Sequence, residues 1–202
     1  MSKTIIGRFD LDPYQFLSNF YISPCEYEGI VYNNSECAFQ AAKSTSLDVR
    51  KEFIDMKPGK AKRYGRKIEL RDDVIWDDVK DGIMLEVVRS KFNMNKDLAD
   101  KLLSTGDAEI IEGNNWGDVY WGQVDGVGDN VLGKILMQVR DEHKKQKKKT
   151  CGNCKYSTKD NEIAGYCEYC EKGNCVLCQM RGDGEVCEDY ERKAGEEDNV
   201  NN

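Results

Sequence analysis

The sequence predicts a mainly α domain with a minor β element, followed by a small cysteine-rich tail of zinc-binding type. Three observations carry this. Apolar residues recur at helical spacing over several long segments of the first 143 residues, they alternate at strand spacing only over short ones, and seven of the nine cysteines fall after residue 150. A chain of 202 residues, 39% of them hydrophobic, is long enough for one sizeable core and an appendage. The expected organisation is a helical domain over 1–143, a Lys-rich linker over 144–150, and a Cys-rich module over 151–202 with an acidic, disordered end.

The elements follow in chain order. "CEYEGIVYNN", residues 25–34, alternates around Gly29 and reads as a short hairpin. "NSECAFQAAK", residues 34–43, reads as a helix with Ser35 or Asn34 as its N-cap. "SLDVRKEFIDM" is a second helix that stops at "KPGK", and "GKAKRYGRKI" a short basic one ending near Gly65. Long helices fit "DDVKDGIMLEVVRSKFNMN", with Val79, Ile83, Val87 and Phe92 near helical spacing, and "NKDLADKLLSTGD", closed by Gly106. "AEIIEG" reads as a strand feeding a long loop. "NVLGKILMQVRDEH" is a final amphipathic helix with Val131, Leu132, Ile135, Leu136 and Val139 on its core face.

Charge and cysteine usage bound the setting. Residues 151–202 carry 6 Lys+Arg against 12 Asp+Glu, and residues 1–143 carry 19 against 25, so the basic run "HKKQKKKT" separates two acidic parts. Such a run is a solvated linker or a phosphate-contacting strap for nucleic acid. No apolar leader opens the chain and no run reaches the length of a membrane span, so a cytoplasmic protein without membrane contact is expected. In a reducing compartment the cysteines are then thiols or metal ligands.

Two stretches depart from ordinary packing. On the helix after Asn34, Glu36, Gln40 and Lys43 fall at i, i+4 and i+7 and form one polar stripe on an otherwise small and apolar surface. The loop from Asn114 to Asn130 holds four glycines and two tryptophans in seventeen residues and enters a helix N-terminus. Glycines let backbone approach a ligand, and unpaired amides at a helix start attract anions. Tyr120 and Trp121 offer flat faces for a base, and Asp125, Asp129 and Asn130 offer partners for ribose hydroxyls; an ordinary long turn with Trp121 in the core is the alternative. In "GKAKRYGRK", Arg66 is the favoured phosphate contact, although a solvated basic face fits the same residues.

"FLSNFYISPCEYEGIVYNNSECAFQAAK", "GRKIELRDDVIWDDVKDGIMLEVVRSKF", "LLSTGDAEIIEG", "YWG" and "GDNVLGKILMQVR", in this order, resemble the NADAR family, which includes YbiA-like N-glycosidases. The resemblance spans about residues 5–142. It implies a multihelical domain with a small β element and hydrolysis of a ribosyl C–N bond. It further implies either ADP-ribosylated guanine or a riboflavin-pathway ribosylamino-pyrimidine phosphate as substrate, with no cofactor for the chemistry. The family's catalytic glutamate matches Glu36 and its recurrent lysine Lys43. Its "YWG" matches Tyr120, Trp121 and Gly122, its Gly-rich turn matches Gly128, Asp129 and Asn130, and its "SNF" matches Ser18, Asn19 and Phe20. Cys37 stands where many members have histidine. That departure leaves a non-catalytic reader of ADP-ribose, with the tail as adaptor, as the competing expectation.

A carboxylate beside an anomeric carbon stabilises the oxocarbenium-like state and takes a proton from water. Lys43 would assist departure of the nitrogen or form a Schiff base with an opened ribose. In the tail, Cys151 and Cys154 are spaced to reach one zinc ion, completed by Cys167 with Cys170 or with Cys187. So few large apolar groups hardly fold such a segment without metal. An acidic thiol-bearing tail and a redox role are the alternatives, and the ending around Cys187 resembles small cysteine-rich modules of phage-type proteins. Nucleic acid is the expected partner of the linker and tail; oligomeric state is not encoded legibly.

Overall fold

The structure is a computed structural model that describes residues 5–7, 9 and 13–148. Cys151, Cys154, Cys167, Cys170 and Cys187, with the zinc module expected of them, lie outside the described residues. The chain divides between Asp141 and Glu142 into two compact units, and the elements up to the last helix belong to the first.

A two-residue strand, β1 (Ile5–Ile6), and a single 3-10 turn at Gln15–Leu17 precede the hairpin. Its strands, β2 (Cys25–Tyr27) and β3 (Ile30–Tyr32), pair antiparallel with Cys25 opposite Tyr32 and Tyr27 opposite Ile30. Glu28 and Gly29 take φ of 45° and 78°, the paired left-handed conformation of a type I′ turn, which matches the twist of the strands. Glu28 meets Arg50 Nη1 at 2.6 Å and so ties the turn to the next helices.

Helix α1 (Ser35–Ala41) is the centre of the domain: all seven residues are buried, against the hairpin and the helices that follow. Asn34 is its cap, with Oδ1 accepting from the Cys37 N–H at 2.9 Å. The helix stops two residues before Lys43. The N–H groups of Lys43 and Ser44 turn back three residues, to Gln40 and Ala41 carbonyls, and Arg71 occupies the end by donating from Nη1 to the Ala42 carbonyl and from its N–H to that of Lys43. Asp73 holds the Arg71 guanidinium with two contacts of 2.7 Å.

Helix α2 (Leu47–Lys51) is shorter than the segment predicted for it. Helix α3 (Pro58–Tyr64) starts on proline, whose fixed φ suits a first turn, and ends at Gly65. Helix α4 (Trp76–Met94) lies within one residue of its expected bounds and buries Ile83, Met84, Val87, Val88 and Phe92. Helix α5 (Lys96–Ser104) is followed by Gly106 at φ 61°, the left-handed residue that commonly stops a helix. Strand β4 (Glu109–Ile110) pairs in parallel with β1, Ile5 opposite Glu109.

Helix α6 (Val131–Lys148) buries Leu132, Ile135, Leu136 and Val139 as expected. It also runs through most of the 144–150 segment expected to be a linker. Lysine and glutamine are good helix formers, and "HKKQKKK" holds no glycine or proline to stop the helix. Among the described residues no helix is long and apolar enough to cross a membrane.

Candidate active site

A cavity of about 1320 Å³ is enclosed by residues 15–22, the exposed end of the α1 seam, α3, the first half of α4 and the chain after β4. Its inner wall is the α1 stripe. Glu36 is only 6% exposed, and Gln40 Nε2 donates to its Oε1 at 2.9 Å. Burial raises the Glu36 carboxyl above the usual range; the Gln40 hydrogen bond, Lys62, Lys43 and Arg66 oppose that. Lys43 donates from Nζ to the Gly65 carbonyl at 3.3 Å and lies 5.7 Å from the Trp76 ring. Burial lowers its pKa, against the pull of Glu36, and Arg66 and Lys62 lower it further. Although α1 ends early, the capped turn keeps Lys43 on the cavity wall with Glu36 and Gln40.

The segment bearing Asn19 and Phe20 is pinned from two sides. The Glu36 N–H donates to the Asn19 carbonyl at 3.1 Å, and buried Lys91 donates from Nζ to the Ser18 carbonyl at 2.9 Å. Burial pushes the Lys91 amine down to about 7. Asn19 Nδ2 meets Met84 Sδ, while its Oδ1 is buried without a partner.

The rest of the lining is basic and aromatic. Lys62 and Arg63 come from α3 and Arg66 from the turn just after it, so the favoured Arg66 has two cationic neighbours at the cavity. Phe39 packs edge-on against Trp121, with centroids 5.3 Å apart, and against Trp76 at 5.4 Å. Trp116, 60% exposed, stands at the lining with Phe20. Gly65 is required for this packing: a Cβ there would sit 2.0 Å from Gln40 Oε1.

Glu112, Lys62, Trp76 and Trp116 are cavity residues that were not singled out as ligand contacts from the sequence. Burial raises the Glu112 carboxyl to about 7, helped by Asp118 and Glu36 and opposed by Lys62. Buried polar atoms in folded proteins almost always have partners. Here Asn19 Oδ1, Gln40 Oε1 and Glu112 Oε2 have none, and all three belong to cavity-lining residues.

Four expected binding residues are placed elsewhere. Tyr120, Gly122, Asp129 and Asn130 do not line this cavity. Tyr120 donates from its hydroxyl to Asp81 at 2.8 Å, with Lys80 4.1 Å from its ring. Gly122 is buried so close to the Glu112 carbonyl that a Cβ would approach it to 2.1 Å. Asn130, at φ 52°, accepts from the Glu112 N–H at 3.0 Å and donates to the Ile110 carbonyl at 2.8 Å, joining β4 to the start of α6. Asp129 is exposed and uses its N–H on the Val119 carbonyl. Loop backbone lacks a ladder and must find partners locally, which is the work these residues do. Cys37 also faces away: it is fully buried, its Sγ donates to the Met56 carbonyl at 3.1 Å, and burial raises its thiol to about 11.

A mainly helical domain that closes a buried carboxylate and a desolvated amine into a basic, aromatic cavity has a close structural counterpart. The NMR structure of the E. coli protein YbiA is similar, with a TM-score of 0.63 and 35% identity, covering 73% of this chain and 89% of that one. The N-glycosidase YbiA of Escherichia coli (strain K12) is 34% identical over 145 residues, 70% of this chain and 90% of that protein. The riboflavin biosynthesis protein VVA0006 of Vibrio vulnificus is 36% identical over 129 residues; the match takes in 63% of this chain and only 35% of that protein's length. Residues 8–144 match the NADAR domain, and the chain belongs to the NADAR family.

Proposed function

We propose that this chain is an N-glycosidase that hydrolyses a ribosyl C–N bond, with ADP-ribosylated guanine in nucleic acid or nucleotide as its substrate and ADP-ribose as the product released. The observation that carries the reading is Glu36 and Lys43 together on the wall of a cavity that Lys62, Arg63 and Arg66 also line. Breaking the bond builds positive charge on the anomeric carbon. Glu36 stabilises that charge and takes the proton of the attacking water. The three cations around it oppose the effect of burial and favour the carboxylate form this role needs.

Lys43, with its lowered pKa, is suited to two roles. As an ammonium it stabilises charge leaving with the nitrogen; as an amine it attacks the aldehyde of an opened ribose, losing water to form an imine. Lys62, Arg63 and Arg66 supply a surface for phosphate, and Trp121 and Trp116 supply faces for a base. The cavity exceeds the roughly 300–1,000 Å³ of typical small-molecule sites, which supports a dinucleotide-sized ligand. One relative is named a riboflavin biosynthesis protein, and this supports a ribosylamino-pyrimidine phosphate as the second substrate reading. The non-catalytic reader drew its support from Cys37, whose side chain belongs to the core rather than the cavity. For the tail, structural zinc on Cys151, Cys154, Cys167 and Cys170 or Cys187 is part of the same proposal, with nucleic acid as the partner it brings.

The test is incubation of the purified chain with an ADP-ribosylated guanosine oligonucleotide and, separately, with a ribosylamino-pyrimidine phosphate, with products identified by mass spectrometry. Release of ADP-ribose from the first is expected. Turnover of the second alone moves the substrate to the riboflavin branch, and turnover of neither contradicts the glycosidase reading.

A further inference from the structure

We propose that Glu112 is a second catalytic carboxylate in this cavity, the acid that protonates the departing nitrogen while Glu36 serves the water. The inference rests on the glycosidase reading above and assigns a role to a residue of the "AEIIEG" segment for which none was expected from the sequence. Glu112 is held by its backbone on both sides: its N–H donates to Asn130 Oδ1 at 3.0 Å and its carbonyl accepts from the Gln123 N–H at 2.8 Å. Its side chain is thereby presented from a fixed point at the end of β4. Glu112 lines the cavity, and its Oε2 is buried without a hydrogen bond.

The charges facing the two carboxyls divide their work. Glu36 on α1 is faced by Lys43, Lys62 and Arg66, three cations that favour its ionised form. Glu112 is faced by Lys62 from α3 and by two carboxylates, Asp118 from the following loop and Glu36 itself. One cation against two anions favours the neutral acid, and burial acts in the same direction, so the proton is retained up to about pH 7. Burial raises both carboxyls, but three cations oppose it at Glu36 and only one at Glu112, so Glu112 is the better suited of the two to carry the acid's proton in hydrolysis through an oxocarbenium-like state. In the step, the C–N bond breaks and its electron pair goes to nitrogen, which takes the Glu112 proton. Water then bonds to the anomeric carbon and gives its proton to Glu36, so one water is consumed and the two carboxyls have exchanged protonation states until solvent restores them.

The experiment measures kcat and KM from pH 5.5 to 9 for the wild type, Glu112→Gln and Glu112→Asp, on whichever of the two substrates turns over, with the Tm of each protein. For the wild type, kcat should fall as pH rises above about 7, because the acid form is lost. Glu112→Gln should lower kcat about 100-fold at pH 6, within the range of general acid catalysis. It should leave KM within about threefold and remove the alkaline fall, because no acid remains at this position to titrate. Glu112→Asp should keep both the fall and at least about a tenth of kcat, which a merely structural role would not produce. A wild-type profile flat to pH 9, a Gln variant that keeps its alkaline fall, or an Asp variant no better than Gln at equal Tm would each overturn the proposal while leaving the glycosidase intact. A wild type inactive on both substrates overturns the glycosidase reading and this inference with it.

Discussion

The α1 wall and the loop from Asn114 to Asn130 are both rich in polar side chains, and they use them in opposite ways. On α1 the backbone is satisfied without the Glu36 and Gln40 side chains, which bond to each other, and Gln40 Oε1 is left without a partner. In the loop the backbone has no ladder, and the side chains take its place. Asn114 bonds the backbone of Asp118 and Gln123, Asp118 Oδ1 accepts from the N–H groups of Tyr120 and Trp121, and Asn130 links Glu112 with Ile110. A polar residue on a buried helix is therefore a better pointer to a ligand than one in a glycine-rich loop, where local backbone competes for it.

Substitutions on each side sharpen this contrast. Lys43→Ala should lower kcat about 100-fold, the scale of assistance to a departing group, with little change in Tm; steady-state turnover measures it. Borohydride reduction during turnover then separates its two roles, because only the imine leaves a stable adduct on Lys43. Asn130→Ala should act chiefly on stability, with any loss of kcat following from the lost anchor of Glu112. It orphans the Ile110 carbonyl and the Glu112 N–H and places alanine at φ 52°, a cost of about 2–4 kcal/mol by denaturant unfolding, with KM unchanged. Trp116→Ala should raise KM about fivefold, near the lower end of base–aromatic stacking, without moving Tm, since the side chain is mostly exposed. Asp129→Ala should do least, with KM within twofold and stability within about 0.5 kcal/mol. If Asp129→Ala raised KM more than Trp116→Ala, the polar residues of the loop, and not only its tryptophans, would have to be counted as binding groups.

What could be read from residues alone follows the length and locality of each signal. Helix α4 was legible to within one residue because Val79, Ile83, Val87 and Phe92 recur near helical spacing, and the hairpin because its alternation brackets Gly29. The polar stripe of α1 was legible for the same reason. The β1–β4 pair was half legible: two-residue strands are too short for alternation to register, and their parallel pairing joins segments about a hundred residues apart. Glu112 was missed with it. Its burial and its free oxygen depend on Asn130, Asp118 and α3, contacts that no local pattern records. Tyr120 and Asn130 were read as ligand groups because their chemistry suits a nucleoside, and the structure gives that chemistry to Asp81 and to the loop backbone.

The central claim is that catalysis resides on the α1 wall, and single-turnover cleavage by Glu36→Gln tests it most directly. Gln keeps the size of the side chain and removes only the charge. The expected result is a loss of about 10²- to 10⁴-fold at saturating enzyme, with Tm unchanged or higher because a buried carboxylate has been replaced by a neutral group. A Glu36→Gln protein that cleaves at more than about a tenth of the wild-type rate, below any expected effect of losing that group, would contradict the account.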